Sequence, residues 1–280
     1  MPWIQLNVGL ERSDGSALPS ARALFGALQP LVAELKAAGL LRRFFFMRKP
    51  PDVRLRFEGD EPEAALAPAI GKALAALREA GAISTAFRSV YEPEVTLFGG
   101  PEAMDVMHTY FDADTAGWMA MDRVAVNSQR TVAKTDLVTA VLNDLFEKVL
   151  DDANEIWDVW RNIRRLVPSE PDPDNRPAGM HSLASLILPP ASAGEVQALI
   201  AYDRANTTAA RELLDVWSSG RLQCGLRGLL AFVALFSFNR YGLSGEVKAA
   251  IAEGMDSLWD PMRGLAGGEA QAPPRGASAG

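Results

Sequence analysis

Up to about residue 95 the apolar positions fall in short runs, some alternating and some at helical spacing. After Pro101 they recur at three- and four-residue intervals almost throughout. Trp3-Ile4-Gln5-Leu6-Asn7-Val8 partly alternates and predicts a strand. Leu24, Leu28, Leu31, Val32 and Leu35 share a helical face, which predicts a helix over 21–38 with Ser20 as N-cap, Pro30 as a kink and Gly39 as C-cap. Phe44–Met47 and Val53–Phe57 read as two strands around a proline loop. An Ala-rich helix over 62–80 and a strand over 83–91 follow. From Pro101 the pattern is helical, with Asp112 or Asp114 placed to cap a second helix. One or two helices span 135–166, and others are expected over 193–217, 222–238 and 245–258. The proline-rich stretch 168–177 reads as a loop, and the Gly, Ala, Ser and Pro of 264–280 predict a disordered tail. The expected class is α+β, with a mixed β-sheet in the N-terminal third packed by a largely helical C-terminal half.

Composition narrows the functional classes. With 48% hydrophobic and 22% charged residues, the chain has enough apolar surface for a substantial core. Its formal charge of −7 argues against binding nucleic acid through a broad basic surface. One cysteine, Cys224, excludes an internal disulfide, and with only two histidines, His108 and His181, a zinc cage is not expected. The N-terminus lacks a signal-peptide pattern, and the most apolar stretch, 228–238, is too short to span a membrane. A cytoplasmic protein is expected.

Four segments carry candidate chemistry. In Val53-Arg54-Leu55-Arg56-Phe57 the period of a strand puts both arginines on one face. Two guanidinium forks in one cleft suit a carboxylate or a peptide carbonyl, and a solvated strand face is the alternative. Tyr91-Glu92-Pro93-Glu94-Val95 leads to Phe98-Gly99-Gly100-Pro101, either an anion-cradling turn or a plain entry to a helix. Ser237-Phe238-Asn239-Arg240-Tyr241-Gly242 ends the most apolar helix, and such polar groups either bond the fold or line a site. Trp157, Trp160, Arg161, Arg164 and Arg165 form a basic aromatic helix that suits an acidic peptide, or a core face with solvated arginines. Neither histidine stands in a visible nucleophile arrangement.

Three of these motifs, in this order, resemble the thiopeptide and lantibiotic dehydratase C-terminal family. Phe44-Phe45-Phe46-Met47-Arg48 with Val53-Arg54-Leu55-Arg56-Phe57 is similar to its aromatic strand and arginine-bearing strand. Tyr91 to Val95 with Phe98-Gly99-Gly100 resembles its tyrosine and diglycine element, and Phe238-Asn239-Arg240 its late asparagine-arginine element. The resemblance implies one catalytic domain of the elimination-like fold over 1–263, no metal or organic cofactor, and a precursor peptide with a leader sequence as partner. One branch of the family eliminates glutamate from glutamylated Ser or Thr. The other builds the central pyridine of thiopeptides by a formal [4+2] cycloaddition of two dehydroalanines, with loss of water and the leader.

Departures favour the second branch. Eliminating members usually carry an arginine just before the diglycine element, where this chain has Leu97. They also usually carry a histidine shortly before the asparagine-arginine, where Leu235-Phe236-Ser237-Phe238 has none. The expected function is therefore pyridine synthesis, with a glutamate-eliminating subunit or a non-catalytic leader-binding partner as alternatives. Under this reading the catalytic candidates are Tyr91, Ser237, Asn239, Arg240 and Tyr241. The substrate-binding candidates are Arg54, Arg56, Glu94, Arg161, Arg164 and Arg165.

Overall fold

A computed structural model describes residues 2–127, 133–175, 182–186 and 192–263. The expected tail over 264–280 and His181 lie outside the described residues. The N-terminal part runs β1 (Trp3–Leu10), α1 (Leu18–Ala37), β2 (Arg43–Lys49), β3 (Asp52–Glu58), a π-helical turn (Pro62–Leu66) into α2 (Ala67–Glu79), and β4 (Ile83–Ser89). The helical part follows as α3 (Pro101–Asn127), α4 (Lys134–Val149), α5 (Ala153–Leu166), a 3₁₀ turn (Pro173–Asn175), α6 (Leu183–Leu186), α7 (Ala193–Ser218), α8 (Leu226–Tyr241) and α9 (Gly245–Trp259). The fold is α+β, as expected.

The sheet order is β2-β3-β1-β4, and every neighbouring pair is antiparallel, where a mixed sheet was expected. The reason lies in the connections. Each helical crossover, β1-α1-β2 and β3-α2-β4, joins strands of one direction, but a strand of the opposite direction sits between them. This is the split β-α-β order of ferredoxin-like sheets.

Register gives the sheet two chemically different faces. Phe44 lies opposite Phe57, and Phe46 opposite Leu55. These residues, with Val53, are fully buried, and Phe25 of α1 meets the Phe46 ring at 4.4 Å. The other face carries one row of Phe45, Arg56, Gln5 and Ser89, and another of Met47, Arg54, Asn7 and Phe87. α3 covers the β2 end of that face, with Phe111 5.5 Å from Phe45. The Phe44 amide donates to Asp112 at 2.8 Å, so an acidic side chain satisfies a group on this sheet edge.

α1 starts at Leu18, two residues before the expected Ser20 cap, because Pro19 suits a first turn. It closes as expected around Gly39 (φ +70°), with Leu40 N–H donating to Leu35 and Gly39 N–H to Lys36, both at 3.0 Å. The break expected near Asp112 or Asp114 does not occur, and α3 runs through both as one helix of 27 residues. Neither aspartate acts as a cap, because each finds a tertiary partner. Asp112 takes Lys36 of α1, and Asp114 takes Arg240 of α8. α3 packs closely on α7, where Gly117 allows the approach. A Cβ there would stand 2.5 Å from the ring of Tyr202.

Tyr202 is buried and hydrogen-bonded on both sides, so its ring has little room to yield. Gly117→Ala is expected to cost about 2 kcal/mol through overpacking, with the secondary structure retained. Urea unfolding followed by circular dichroism checks this, and an unchanged midpoint would show that α3 and α7 can part at no cost.

Candidate functional site

The candidate residues fall into three separate settings. The first lies on the polar face of the sheet, where the loop after β4 folds back across β3. Arg56 is only 3% exposed. Its guanidinium lies 4.2 Å from the centre of the Tyr91 ring and 5.1 Å from that of Phe45. Its Nε donates to Gln5 Oε1 at 2.8 Å, while one terminal nitrogen, Nη1, is buried without a partner. Gln5 and Asn7 both donate to Ser89 Oγ, at 2.6 and 2.8 Å, tying β4 to this row.

Tyr91 points the other way along its ring axis. Its hydroxyl lies 2.8 Å from His108 Nε2 of α3. Trp3 encloses the pair, 4.8 Å from the imidazole and 5.2 Å from the phenol ring. Burial, helped by the nearby Arg43, lowers the His108 pKa to about 4, so the imidazole is neutral near pH 7. Burial raises the pKa of Tyr91, against the pull of Arg56. The pair therefore rests as phenol and neutral imidazole.

Arg54 and Lys49 are half-buried, and Arg54 has no carboxylate partner among the described residues. Glu94 influences both Lys49 and Arg56 electrostatically, and its Oε2 is buried without a hydrogen bond. Burial lowers the pKa of Lys49, with Glu94 opposing it. Lys49 and Arg56 thus feel the Glu94 carboxylate, Arg54 acts on both of these cations, and a buried Arg56 nitrogen has no hydrogen-bond partner. Such a set can hold a carboxylate or a peptide carbonyl. Arg54 and Arg56 do share a face, as the alternation required, but Arg56 is buried while Arg54 is half-buried.

The second setting is a sealed network in the helical half. Arg240 and Asp114 are both 0% exposed and approach to 3.2 Å. Ser237 Oγ donates to Asp114 Oδ2 at 3.0 Å, and Arg240 Nε donates to Thr115 Oγ1 at 3.2 Å. Tyr241 and Tyr202 share a hydrogen bond of 2.6 Å, and the Tyr202 hydroxyl also donates to the Asp114 carbonyl. Burial pushes the Asp114 carboxyl upward, and Arg240 and Ser237 hold it down. Ser237, Arg240 and Tyr241 therefore bond the fold, and no solvent path reaches them in this conformation. Asn239 faces α9 instead, accepting from Lys248 at 2.6 Å.

The third setting is an open cavity of about 650 Å³ between the diglycine loop, α5 and the start of α8. Leu97, Leu229, Phe232 and Cys224 supply its apolar lining, with Asp158, Asn162 and Arg227 at its polar side. Gly99 (φ +78°) lets the loop approach Leu222 and Cys224, and Gln223 N–H donates to the Gly99 carbonyl at 2.8 Å. The Gln223 side chain fills the space over Gly100, so this turn does not cradle an anion. On α5, Trp160 is core and donates to Asn143, while Arg161 stacks on Trp157 at 4.5 Å. Arg164 is paired with Asp256 at 2.7 Å, and Arg165 is exposed.

Residues 3–256 match the family described as lantibiotic biosynthesis dehydratase C-term. The chain belongs to this family. It is also similar to a solved structure, the tRNA-dependent lantibiotic dehydratase MibB from Microbispora sp. 107891. That likeness has a TM-score of 0.66 at 16% identity and covers 92% of this chain. At that identity it shows a shared fold. The family member described here spans 28% of the MibB chain. No curated protein matches it. Among the described residues, no group of three or more His, Cys, Asp or Glu could hold a metal ion, and no helix is long and apolar enough to cross a membrane.

Sequence reasoning missed His108, Asp114 and Lys49. His108 did leave a signal, because it shares the buried stripe of α3 with Met104 and Phe111. Asp114 left none, since its partner is more than a hundred residues away.

Two outcomes follow from the buried charges. Arg240→Ala leaves an uncompensated carboxylate and should cost about 3–5 kcal/mol. Asp114→Ala combined with Arg240→Ala should cost well under the sum of the singles, which a double-mutant cycle in denaturant measures. Simple additivity would show that the two groups do not interact. The second outcome concerns pH. His108 has a folded pKa near 4 against 6.5 for a free histidine, so between these values the unfolded chain binds more protons. Stability should rise with pH across this window, and the gain, on the order of 3 kcal/mol, is lost as pH falls through the folded value. The groups facing His108 are Tyr91, Arg56, Arg43 and Asp105. His108→Gln should flatten this part of the stability profile, and an unchanged profile would assign the acid sensitivity elsewhere.

Proposed function

We propose that this chain forms the pyridine core of a thiopeptide, by formal [4+2] cycloaddition of two dehydroalanines with loss of water and the leader peptide. The observation that carries the reading is Leu97. At the position where eliminating relatives carry an arginine, this side chain lines an apolar cavity with Leu229 and Phe232. Leucine neither donates a hydrogen bond nor carries charge to a departing carboxylate. An apolar wall suits a cyclising peptide rich in alkenes and heterocycles. The reaction needs two alkenes brought together and an amide held as its imidic-acid tautomer. Positioning alone can supply an effective concentration of roughly 10⁵ M.

Under this proposal Tyr91 moves protons, Arg56 stabilises charge at the Tyr91 oxygen, and Arg54, Lys49 and Glu94 hold the peptide backbone. Arg161 and Arg165 are the remaining candidates for leader binding, because Arg164 is already paired. Ser237, Arg240 and Tyr241 serve by holding α8 against α3. Residues 1–263 act as one catalytic domain in a cytoplasmic pathway. A second reading, glutamate elimination, has its own support in the free Nη1 of Arg56 beside Lys49 and Arg54, a set that could receive a leaving carboxylate.

Mass spectrometry separates the two. A leader-bearing peptide with azoles and two suitably spaced dehydroalanines should yield a dehydrated macrocycle and a free leader fragment. A glutamylated peptide should release no glutamate. Tyr91→Phe should slow cyclisation about 10²-fold or more. Arg54→Ala should raise KM with little change in Tm. Glutamate release without cyclisation would replace the proposal with elimination. Leader binding without either product would leave a non-catalytic partner.

A further inference from the structure

The buried Tyr91–His108 contact joins a loop residue to a helix residue, with the buried Arg56 guanidinium over the face of the phenol. We infer that His108 is a positioning residue that takes and returns the Tyr91 hydroxyl proton, making the Tyr91 oxygen the proton carrier of this site. The inference rests on the proposed role of Tyr91. Its ground is the geometry. The hydroxyl and Nε2 are 2.8 Å apart, both residues are buried, and the Trp3 ring excludes water from the imidazole side. Asp105, one turn earlier on α3, is held by Arg43 at 2.6 and 3.0 Å, so no carboxylate competes for the imidazole. Arg56, 4.2 Å from the ring centre, stabilises negative charge on the phenol.

The proton balance closes without any added reagent. The Tyr91 O–H bond breaks as an N–H bond forms at His108 Nε2. The phenolate oxygen then takes the N–H proton of a bound amide, and the resulting hydroxyl protonates the amide oxygen. The Nε2 proton returns to Tyr91. The amide has become its imidic-acid tautomer, and both side chains end as they began. A neutral imidazole is required, because a protonated Nε2 accepts nothing. The groups that set this state are Tyr91 from the loop, Arg56 from β3, Arg43 from β2 and Asp105 from α3 itself. Burial favours both the neutral imidazole and the neutral phenol, so the imidazolium–phenolate pair is a transient that forms only as the amide proton moves.

The pair can be tested without substrate. With two histidines in the chain, ¹⁵N-histidine labelling gives few signals, and His181→Asn assigns them. At pH 7 His108 should show an unprotonated, hydrogen-bonded Nε2 and a protonated Nδ1. Tyr91→Phe should shift the Nε2 resonance while circular dichroism stays unchanged. In the cyclisation assay His108→Gln and His108→Phe should both lower kcat about 10²-fold with KM nearly constant, since glutamine accepts a hydrogen bond but cannot carry the proton. Full turnover by His108→Gln would overturn the relay. So would a protonated Nε2 donating to Tyr91, or an Nε2 resonance indifferent to Tyr91→Phe. A chain that cyclises no peptide yet keeps the expected Nε2 signature sinks the pyridine reading and still supports the pair.

Discussion

The ion pair of Asp114 and Arg240 lies where no water can replace either partner. Each charge would be costly alone, so α3 and α8 are held in one relation by the need to keep them together. Much else follows from that relation. α3 presents Phe111 to the Phe45 side of the sheet and to Phe236 of α8, whose ring stacks on it at 5.3 Å. One turn earlier it presents His108 to Tyr91, and one residue later Asp112 to the edge of β2. Phe232, on the same helix as Arg240, lines the cavity beside Leu97. The ionic contact is thus far from the open surface but fixes what that surface displays.

This arrangement separates candidates that look alike in sequence. Arg54 and Arg56 are two residues apart on one strand face. Arg56 sits in the middle of its row beneath an aromatic ring and is buried, while Arg54 is half-buried. Ser237, Arg240 and Tyr241 resemble a cluster of catalytic donors, yet each is matched to a buried partner. Such a network keeps a core in one arrangement, although Asp114 Oδ1 and Arg240 Nη2 are buried within it without a hydrogen bond. On the sheet side Arg56 Nη1 and Glu94 Oε2 are likewise buried without a hydrogen bond.

Family membership and fold likeness leave the chemistry to particular side chains, because one fold serves unrelated reactions. Under the proposed function the informative positions are Leu97 and the segment before Asn239. Leu97 forms part of an apolar wall. Leu235 to Phe238 offers no imidazole, while α3 supplies one from another direction through His108. That imidazole is buried and paired with the Tyr91 hydroxyl.

Local pattern in the chain determined most of the elements. Alternation set β1, β3 and the face shared by both arginines, and helical spacing set α1, α7 and α9 to within a few residues. Gly39 and Gly242 marked helix ends, because a left-handed residue is needed there and glycine takes it without strain. The motif order identified the family. Tertiary structure alone decided the antiparallel sheet, since strand neighbours depend on which strand slips between the two ends of a crossover. It alone decided that Asp112 and Asp114 continue α3, since their partners come from distant helices. The same holds for His108 and Tyr91, and for Arg240 and its aspartate. Periodicity reports which face a residue occupies, through the geometry of its own backbone. Which charge or hydroxyl waits opposite that face is settled only when distant segments compete to satisfy buried polar groups.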